Sequence, residues 1–331
     1  MFLLTLLVAI GMSYVAVTIQ NQRKQKAAAD EIVNVGGIAE SEQTWLGRLL
    51  GDDSLVRVTE VQLAGESVGD AVLMNLQGLS QLQTLRLDNT KVTDTGLVHL
   101  QGLRQLQVLY LHDAAVSDAG LVHLQGLSQL QELWLCQTQV SDAGLVHLRG
   151  LSNLRLLALS NTQVTDAGLV NLEGLSQLQM VGLDNTKVTD AGLVHLQRLT
   201  QLQTLWLSDT KVTDAGLVHL RGMRQLQTLW LDNTRVANAG LVLLQGLSQL
   251  EWLRLDCTNV TDAGVVHLQE MGQLQDLNLS GTKVTDAAIV HLKGLTHLQR
   301  LCLFDTKVTD QGVKKLQQEL PNCKIRLRLL P

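Results

Sequence analysis

Two residue types that bind metals in many proteins recur in this chain at multiples of 24 positions. The first column contains histidines: His99, His123, His147, His195, His219, His267 and His291. The second contains aspartates: Asp94, Asp118, Asp142, Asp166, Asp190, Asp214, Asp262, Asp286 and Asp310, with Asn238 in one place. Imidazole nitrogens and carboxylate oxygens hold a metal ion only when several converge on a point about 2 Å away. The elements that carry the columns therefore decide whether either is a site.

Motifs of other reactive sites are missing from the sequence. It contains no GxSxG turn, no phosphate-binding glycine loop, no HExxH and no CxxC pair. Its cysteines fall in different repeat columns and are expected to remain unpaired: Cys136, Cys257, Cys302 and Cys323. The net charge of −5 is spread without a basic run, which argues against a nucleic-acid partner. We predict that the protein is not an enzyme and uses no cofactor and no metal.

Both columns belong to a 24-residue repeat that predicts the fold. The repeat reads LxxLxLxxTxVTDAGLVHLxGLxx, and its first leucine recurs without insertion or deletion from Leu82 to Leu298. A fixed period in the twenties with this leucine spacing is typical of a leucine-rich-repeat solenoid. Leucines that alternate with polar residues predict a short strand, and VTDAGL predicts a short helix, capped by Thr93 and Asp94 and ended by a left-handed Gly102.

The different widths of strands and helices predict how the repeats stack. Strands of a sheet lie about 4.8 Å apart, whereas helix axes need roughly 8–10 Å. We therefore predict an α/β fold, a curved horseshoe with a parallel sheet on its concave face and short helices on its convex face. The histidine column then lies on the exposed side of the helices, with rings too far apart to share a metal. The aspartates precede the helices, where negative charge stabilises unpaired amides.

The exposed strand positions vary between repeats and contain the aromatic residues. Trp206 and Trp230 are one period apart, so their rings project side by side from neighbouring strands. Aromatic centres with polar rims are typical of protein-binding hot spots. The predicted partner site consists of Tyr110, Trp134, Leu156, Met180, Trp206, Trp230, Trp252, Asp232 and Asp256. Aromatic platforms flanked by aspartate also suit sugar rings, and aromatic residues simply favour strands, so these alternatives stay open.

The N-terminus differs from the repeats in composition. Phe2–Ile19 is uncharged and mostly apolar, and Arg23, Lys24 and Lys26 follow it. Eighteen helical residues span roughly 27 Å, enough for the hydrocarbon core of a bilayer. We predict a single-pass membrane anchor, with the repeats on the cytoplasmic side by the positive-inside rule. A cleaved signal peptide is the alternative.

The run VTDAGLVHLxGLxxLxxLxL, with threonine at the usual asparagine position, resembles the leucine-rich-repeat proteins abundant in planctomycete bacteria. Those proteins also tend to begin with one hydrophobic segment, and the resemblance covers nearly the whole chain. The repeats are similar, too, to the repeat half of F-box substrate receptors of ubiquitin ligases. No F-box-like helical segment fits before Leu55, so the resemblance to those receptors implies at most a receptor-like module.

These patterns predict four segments and one function. Residues 1–26 form the anchor and its basic flank, and 27–54 form an N-terminal cap in which Trp45 covers the exposed end of the array. Residues 55–318 form about eleven repeats, and 319–331 form a closing strand. We expect a membrane-tethered, non-enzymatic scaffold that binds a protein or peptide across the concave aromatic residues. A glycan-binding surface and a self-associating solenoid are the alternatives.

Overall fold

The computed structural model describes the backbone of residues 2–327 and the side chains of residues 10–327. The last four residues of the predicted closing segment lie outside this range. The chain divides after Trp134 into two compact units. From residue 84 onward the strands of each unit begin 24 residues apart, and short helices or turns lie between them.

The first unit contains five strands: β1 (Ile38–Gln43), β2 (Val56–Gln62), β3 (Thr84–Arg86), β4 (Val108–Tyr110) and β5 (Glu132–Trp134). Its α-helices are α1 (Phe2–Asn34), α2 (Trp45–Leu50), α3 (Asp70–Leu73) and α4 (Asp118–Leu121). Its 3-10 turns are Met74–Leu76, Gly96–Leu100 and Val122–Leu124. β1 pairs antiparallel with β2, and β2 to β5 pair in parallel in chain order.

The second unit contains eight strands: β6 (Leu156–Ala158), β7 (Met180–Gly182), β8 (Thr204–Trp206), β9 (Thr228–Trp230), β10 (Trp252–Arg254), β11 (Asp276–Asn278), β12 (Arg300–Cys302) and β13 (Lys324–Arg326). Its α-helices are α5 (Asp142–Leu145), α6 (Asp166–Leu169), α7 (Asp190–Leu193), α8 (Asn238–Leu244), α9 (Asp262–Val265), α10 (Ile289–Leu292) and α11 (Asp310–Glu319). Its 3-10 turns are Val146–Leu148, Val170–Leu172, Gly216–Leu220, Val266–Leu268 and Asp286–Ala288.

Register in the second unit follows the sequence period. The eight strands pair in parallel, and the central aliphatic residue of each strand lies beside that of the next, as Leu205 lies beside Leu229. Both of these leucines are fully buried. The predicted α/β class, with a parallel sheet and short helices on opposite sides of a leucine core, is confirmed.

The turn after most strands is built from a threonine and a left-handed residue. The Thr90 hydroxyl donates to the Leu87 carbonyl at 2.8 Å, and the residue before it, Asn89, has a φ of 56°. The same pair recurs in later repeats, so the threonine hydroxyl bonds the backbone of its own turn there. The predicted left-handed Gly102 is wrong, because the single-turn helix ends in a 3-10 bond from Leu103 N–H to the Leu100 carbonyl.

The N-terminal end of the first unit is covered by α1 and α2. Ala29, Ile32 and Leu46 are buried there, and Leu63 lies so close to Gly37 that a Cβ would come within 2.7 Å of its Cδ2. The prediction that Trp45 covers this end is wrong, because its side chain is 68% exposed. Strand β1 was not predicted, since its sequence IAESEQ lacks the alternating apolar residues of a strand.

The prediction of a single-pass membrane anchor over Phe2–Ile19 is wrong. Among the described residues, no helix combines the length and the apolar character needed to cross a bilayer. Helix α1 is long, but from Gln20 onward it carries mostly polar residues, and Gln25 Oε1 in this part accepts from the Val58 N–H of the first repeat at 2.9 Å. The prediction rested on the apolar composition and the length of Phe2–Ile19. The predicted membrane localisation, with the repeats on the cytoplasmic side, depended on this anchor and is therefore wrong as well.

Candidate functional site

The open face of the sheet, which points away from the helices, carries an ordered aromatic stack in the second unit. Strand register places Trp206 of β8 directly opposite Trp230 of β9. Their ring centroids are 4.6 Å apart and their planes differ by 9°. The guanidinium carbon of Arg254, on β10, lies 5.0 Å from the Trp230 ring centroid. Trp230 is therefore covered on one face by Trp206 and on the other by a cation, an arrangement that stabilises all three side chains.

Gly182 provides the space that Trp206 occupies. It lies opposite Trp206 in the register of β7 and β8, and a Cβ on it would come within 3.1 Å of the Trp206 Cε3 atom. On the other side of β7, strand β6 carries the fully buried Ala158 in the same position. Two small residues therefore let the first tryptophan of the stack lie over the sheet.

Around this stack lies a groove of about 540 Å³, a volume within the range of ligand-binding clefts. Trp252 on β10 is the most exposed tryptophan of the groove, at 37%. Arginines line the other end, where Arg300 forms an ion pair with Asp276 at 2.5 Å. The lining residues are Met180, Thr204, Trp206, Thr228, Trp230, Trp252, Arg254, Asp276, Asn278, Arg300, Cys302 and Arg326.

Two aspartates hold Arg254 in place. Its Nε atom lies 3.1 Å from Asp232 Oδ1 and 3.6 Å from Asp256 Oδ1, close enough for ion pairs although the first contact is not aligned as a hydrogen bond. The Ser208 hydroxyl donates to Asp232 at 2.8 Å. Burial, helped by the neighbouring Asp256 carboxyl group, raises the pKa of Asp232 to about 7. The charge of the Asp232 carboxyl group therefore changes near neutral pH, at 3.1 Å from the Arg254 Nε atom.

A second stack lies on the open face of the first unit. The ring centroids of Tyr110 and Trp134 are 5.6 Å apart with planes 15° from parallel. The guanidinium carbon of Arg86 lies 4.1 Å from the Tyr110 centroid. The first unit thus repeats the combination of one arginine and two aromatic rings on consecutive strands.

The structure brings together only part of the site predicted from the sequence. Met180, Trp206, Trp230 and Trp252 share the groove of the second unit, with Asp232 and Asp256 beneath it. Leu156 lies beside Met180 in the sheet but does not line the groove. Tyr110 and Trp134 belong to the first unit.

Sequence reasoning missed the residues that complete the groove. Arg254, Arg300 and Arg326 line it, and Gly182 makes room for its first tryptophan. The sequence contained a signal for the contact of Arg254 with Trp230, because Arg254 occupies the same strand position one period after Trp230. An arginine next to an aromatic residue in a stacked column predicts a cation–π contact.

The aspartate column joins successive repeats. In the second unit Asp166 accepts from the Thr189 N–H at 2.7 Å and from the Thr189 hydroxyl at 2.6 Å. The same contact recurs along both units, and Asn238 substitutes by accepting from the Thr261 N–H and donating to its hydroxyl. The aspartate therefore fixes the start of the following repeat, whereas the sequence predicted that it stabilises only its own helix.

The histidine column also links repeats and is half-buried rather than fully solvated. Nδ1 of His99 lies 2.9 Å from Gln77 Nε2, and Nδ1 of His195 lies 2.6 Å from Glu173 Oε1, in each case on the preceding repeat. Within the part of the chain that the structure describes, no three metal-binding side chains come together. The four cysteines are free thiols.

Comparisons with known proteins agree with this architecture. Residues 294–316 match the family model described as Leucine Rich repeat. An internalin, InlF, from Listeria monocytogenes is similar in structure, with a TM-score of 0.62 and 21% identity over 86% of this chain and 94% of that one. The fold is a leucine-rich-repeat solenoid.

The functional domain of InlJ from Listeria monocytogenes is also similar to this chain in structure, with a TM-score of 0.60 and 15% identity. That match covers 82% of this chain and 53% of the InlJ domain. No curated protein matches the chain. At these identities the likeness establishes the fold, and the site has to be interpreted from its own geometry.

Proposed function

We propose that this leucine-rich-repeat protein is a non-enzymatic scaffold that binds a protein or peptide on the open face of its second unit. The observation that carries the proposal is the stack of Trp206, Trp230 and Arg254 beside the exposed Trp252, in one ligand-sized groove. Tryptophan and arginine are the residues most enriched among those that dominate binding energy at protein interfaces.

Order in the free protein supports this role. The stacked rings and the ion pairs of Arg254 with Asp232 and Asp256 restrict these side chains before any partner arrives. Binding then costs less side-chain entropy, roughly 0.5–1.5 kcal/mol for each long side chain that need not be immobilised. A preformed aromatic surface on a rigid sheet is therefore suited to a specific partner.

The stacking also distinguishes the partner classes considered from the sequence. A sugar ring packs against the open face of an aromatic ring, but Trp206 and Arg254 cover the two faces of Trp230. The opposite side of Trp206 lies over Gly182. The stacked side chains therefore expose only their ring edges, and Trp252 is the one tryptophan of the groove that takes part in no stack. This arrangement favours contact with the side chains and backbone of a protein over a glycan.

The proposal is tested by measuring the affinity of a partner isolated with the full chain as bait. Truncating a residue that dominates an interface typically costs about 2–4 kcal/mol, so Trp252→Ala should weaken binding roughly thirtyfold to a thousandfold. Trp230→Ala should weaken it as well and lower stability by about 1 kcal/mol through loss of the stack. His219→Ala, on the helix side of the same unit, is the control and should leave affinity unchanged.

Two results would contradict the proposal. One is full-strength binding of the partner by a folded Trp252→Ala variant. The other is equal weakening by Trp252→Ala and His219→Ala, which would indicate a general effect on the fold rather than a contact in the groove.

A further inference from the structure

We infer that the partner segment in this groove is acidic, with carboxylate side chains three to six residues away from an aromatic or aliphatic residue. This inference rests on the proposed function and specifies the chemistry of its ligand. It follows from the unequal distribution of charge along the groove, whose tryptophans lie at one end and whose Arg300 and Arg326 lie at the other.

The cationic end lies on the last two strands. Arg300 on β12 and Lys324 and Arg326 on β13 occupy exposed strand positions, and Asp276 on β11 is the one carboxylate among the exposed positions of β11 to β13. The whole chain, by contrast, has a net charge of −5. A local excess of positive charge on an acidic protein attracts an acidic segment and repels a basic one.

The existing ion pairs leave this excess in place. Asp276 pairs with Arg300, and the side chain of Arg300 remains 58% exposed. No ion-pair partner of Lys324 or Arg326 occurs among the described residues. Asp256 is occupied by Arg254 and by the Asn278 amide, which donates to it at 2.8 Å. Arg326, which lines the end of the groove, and Lys324 on the same strand are therefore available to a ligand.

Strand spacing converts this arrangement into a spacing of residues in the ligand. Trp252 and Arg300 are two strands apart, about 10 Å, and Trp230 and Arg326 are four strands apart, about 19 Å. An extended peptide advances about 3.3 Å per residue, so these distances correspond to about three and six residues. The ligand that fits places an apolar side chain against the tryptophans and its carboxylates over the cations.

A selection from a random 12-residue peptide library displayed on phage, with the full chain as bait, tests this inference. Selected peptides should contain aspartate or glutamate three to six positions from an aromatic or aliphatic residue, in excess over the starting library. Arg326→Glu should weaken the strongest peptide about fivefold or more, because it removes an ion pair and adds repulsion. Arg221→Glu changes the net charge equally but on the helix side, and it should have no effect.

The same peptide should bind more weakly as sodium chloride is raised from 50 to 500 mM, because salt screens exposed charges. Selected peptides that lose binding to Trp252→Ala but show no acidic excess, or are insensitive to Arg326→Glu, would overturn the inference and leave the proposed function standing. Peptides that bind Trp252→Ala as well as the native chain, or a selection without enrichment, would count against the groove as a binding site and so against both.

Discussion

Replacing Gly192 by alanine should destabilise the protein, although alanine is normally the better residue in a helix. Gly192 lies in α7, and a Cβ there would come within 2.4 Å of Asp166 Oδ1 in the preceding repeat. The same carboxylate accepts the hydrogen bonds from Thr189 that join the two repeats. The added methyl group therefore has to displace the carboxylate and strain or break those bonds.

The size of the effect follows from three contributions. Hydrogen bonds to a charged acceptor stabilise the folded state by roughly 1.5–3 kcal/mol, and their loss lowers the free energy of unfolding. Replacing a glycine within a helix by alanine raises it by up to about 1 kcal/mol. In one repeat Ala288 occupies the corresponding position, and Asp262 still accepts from Thr285 at 2.7 and 2.8 Å, so partial adjustment is possible. We expect Gly192→Ala to lower the free energy of unfolding by about 1–2 kcal/mol.

Urea denaturation of Gly192→Ala, Gly174→Ala, Asp166→Ala and the double variant Asp166→Ala/Gly192→Ala provides the measurement. Gly174→Ala is the matched control, because no atom lies within 4 Å of its Cβ position, and it should be neutral or slightly stabilising. In an Asp166→Ala background the closest contact of the added methyl group and the bonds it disturbs are gone, so Gly192→Ala should destabilise less. A Gly192→Ala variant as stable as the native chain, or one whose cost is unchanged in the Asp166→Ala background, would refute the reasoning.

Further predictions concern pH, the aromatic stack and the core. The pKa of Asp232 is about 7 in the folded protein but near 4 in the unfolded chain, so between these values the folded state binds one proton more than the unfolded state. The melting temperature should therefore fall as pH rises from about 4 to about 7. Asp232→Asn should remove that part of the pH dependence, and an identical profile in both proteins would contradict it. Gly182→Leu should displace Trp206 and change the near-ultraviolet circular dichroism, whereas an unchanged spectrum would refute the contact. Leu229→Ala should lower the free energy of unfolding by roughly 2–5 kcal/mol, because the side chain is fully buried.

The repeat made most of the fold predictable from the sequence. Because every repeat has the same length, the leucine spacing determines both the strand register and the buried face, as the pairing of Leu205 with Leu229 illustrates. The N-terminal end was less predictable, since β1 has a polar sequence and its pairing depends on a contact with β2. The anchor was predicted from the apolar composition and length of Phe2–Ile19, whereas no helix among the described residues has the length and apolar character to cross a bilayer.

The candidate site was predictable only in part, for a physical reason. Periodicity placed Trp206 beside Trp230, but side-chain contacts across several strands are not encoded in the period of one column. The position of Arg254 over Trp230 depends on Asp232 and Asp256, which lie in a different column. The role of the aspartate column was similarly misjudged, because its acceptor groups reach the following repeat.

Oxidative footprinting of the tryptophans tests the central claim most directly. The full chain is exposed to hydroxyl radicals with and without the strongest selected peptide, and oxidation of each tryptophan is measured by mass spectrometry. Trp252, 37% exposed in the groove, should be protected by the peptide, while Trp45, 68% exposed near the N-terminus, should be oxidised equally in both samples. Unchanged oxidation of Trp252 at saturating peptide would contradict binding in this groove.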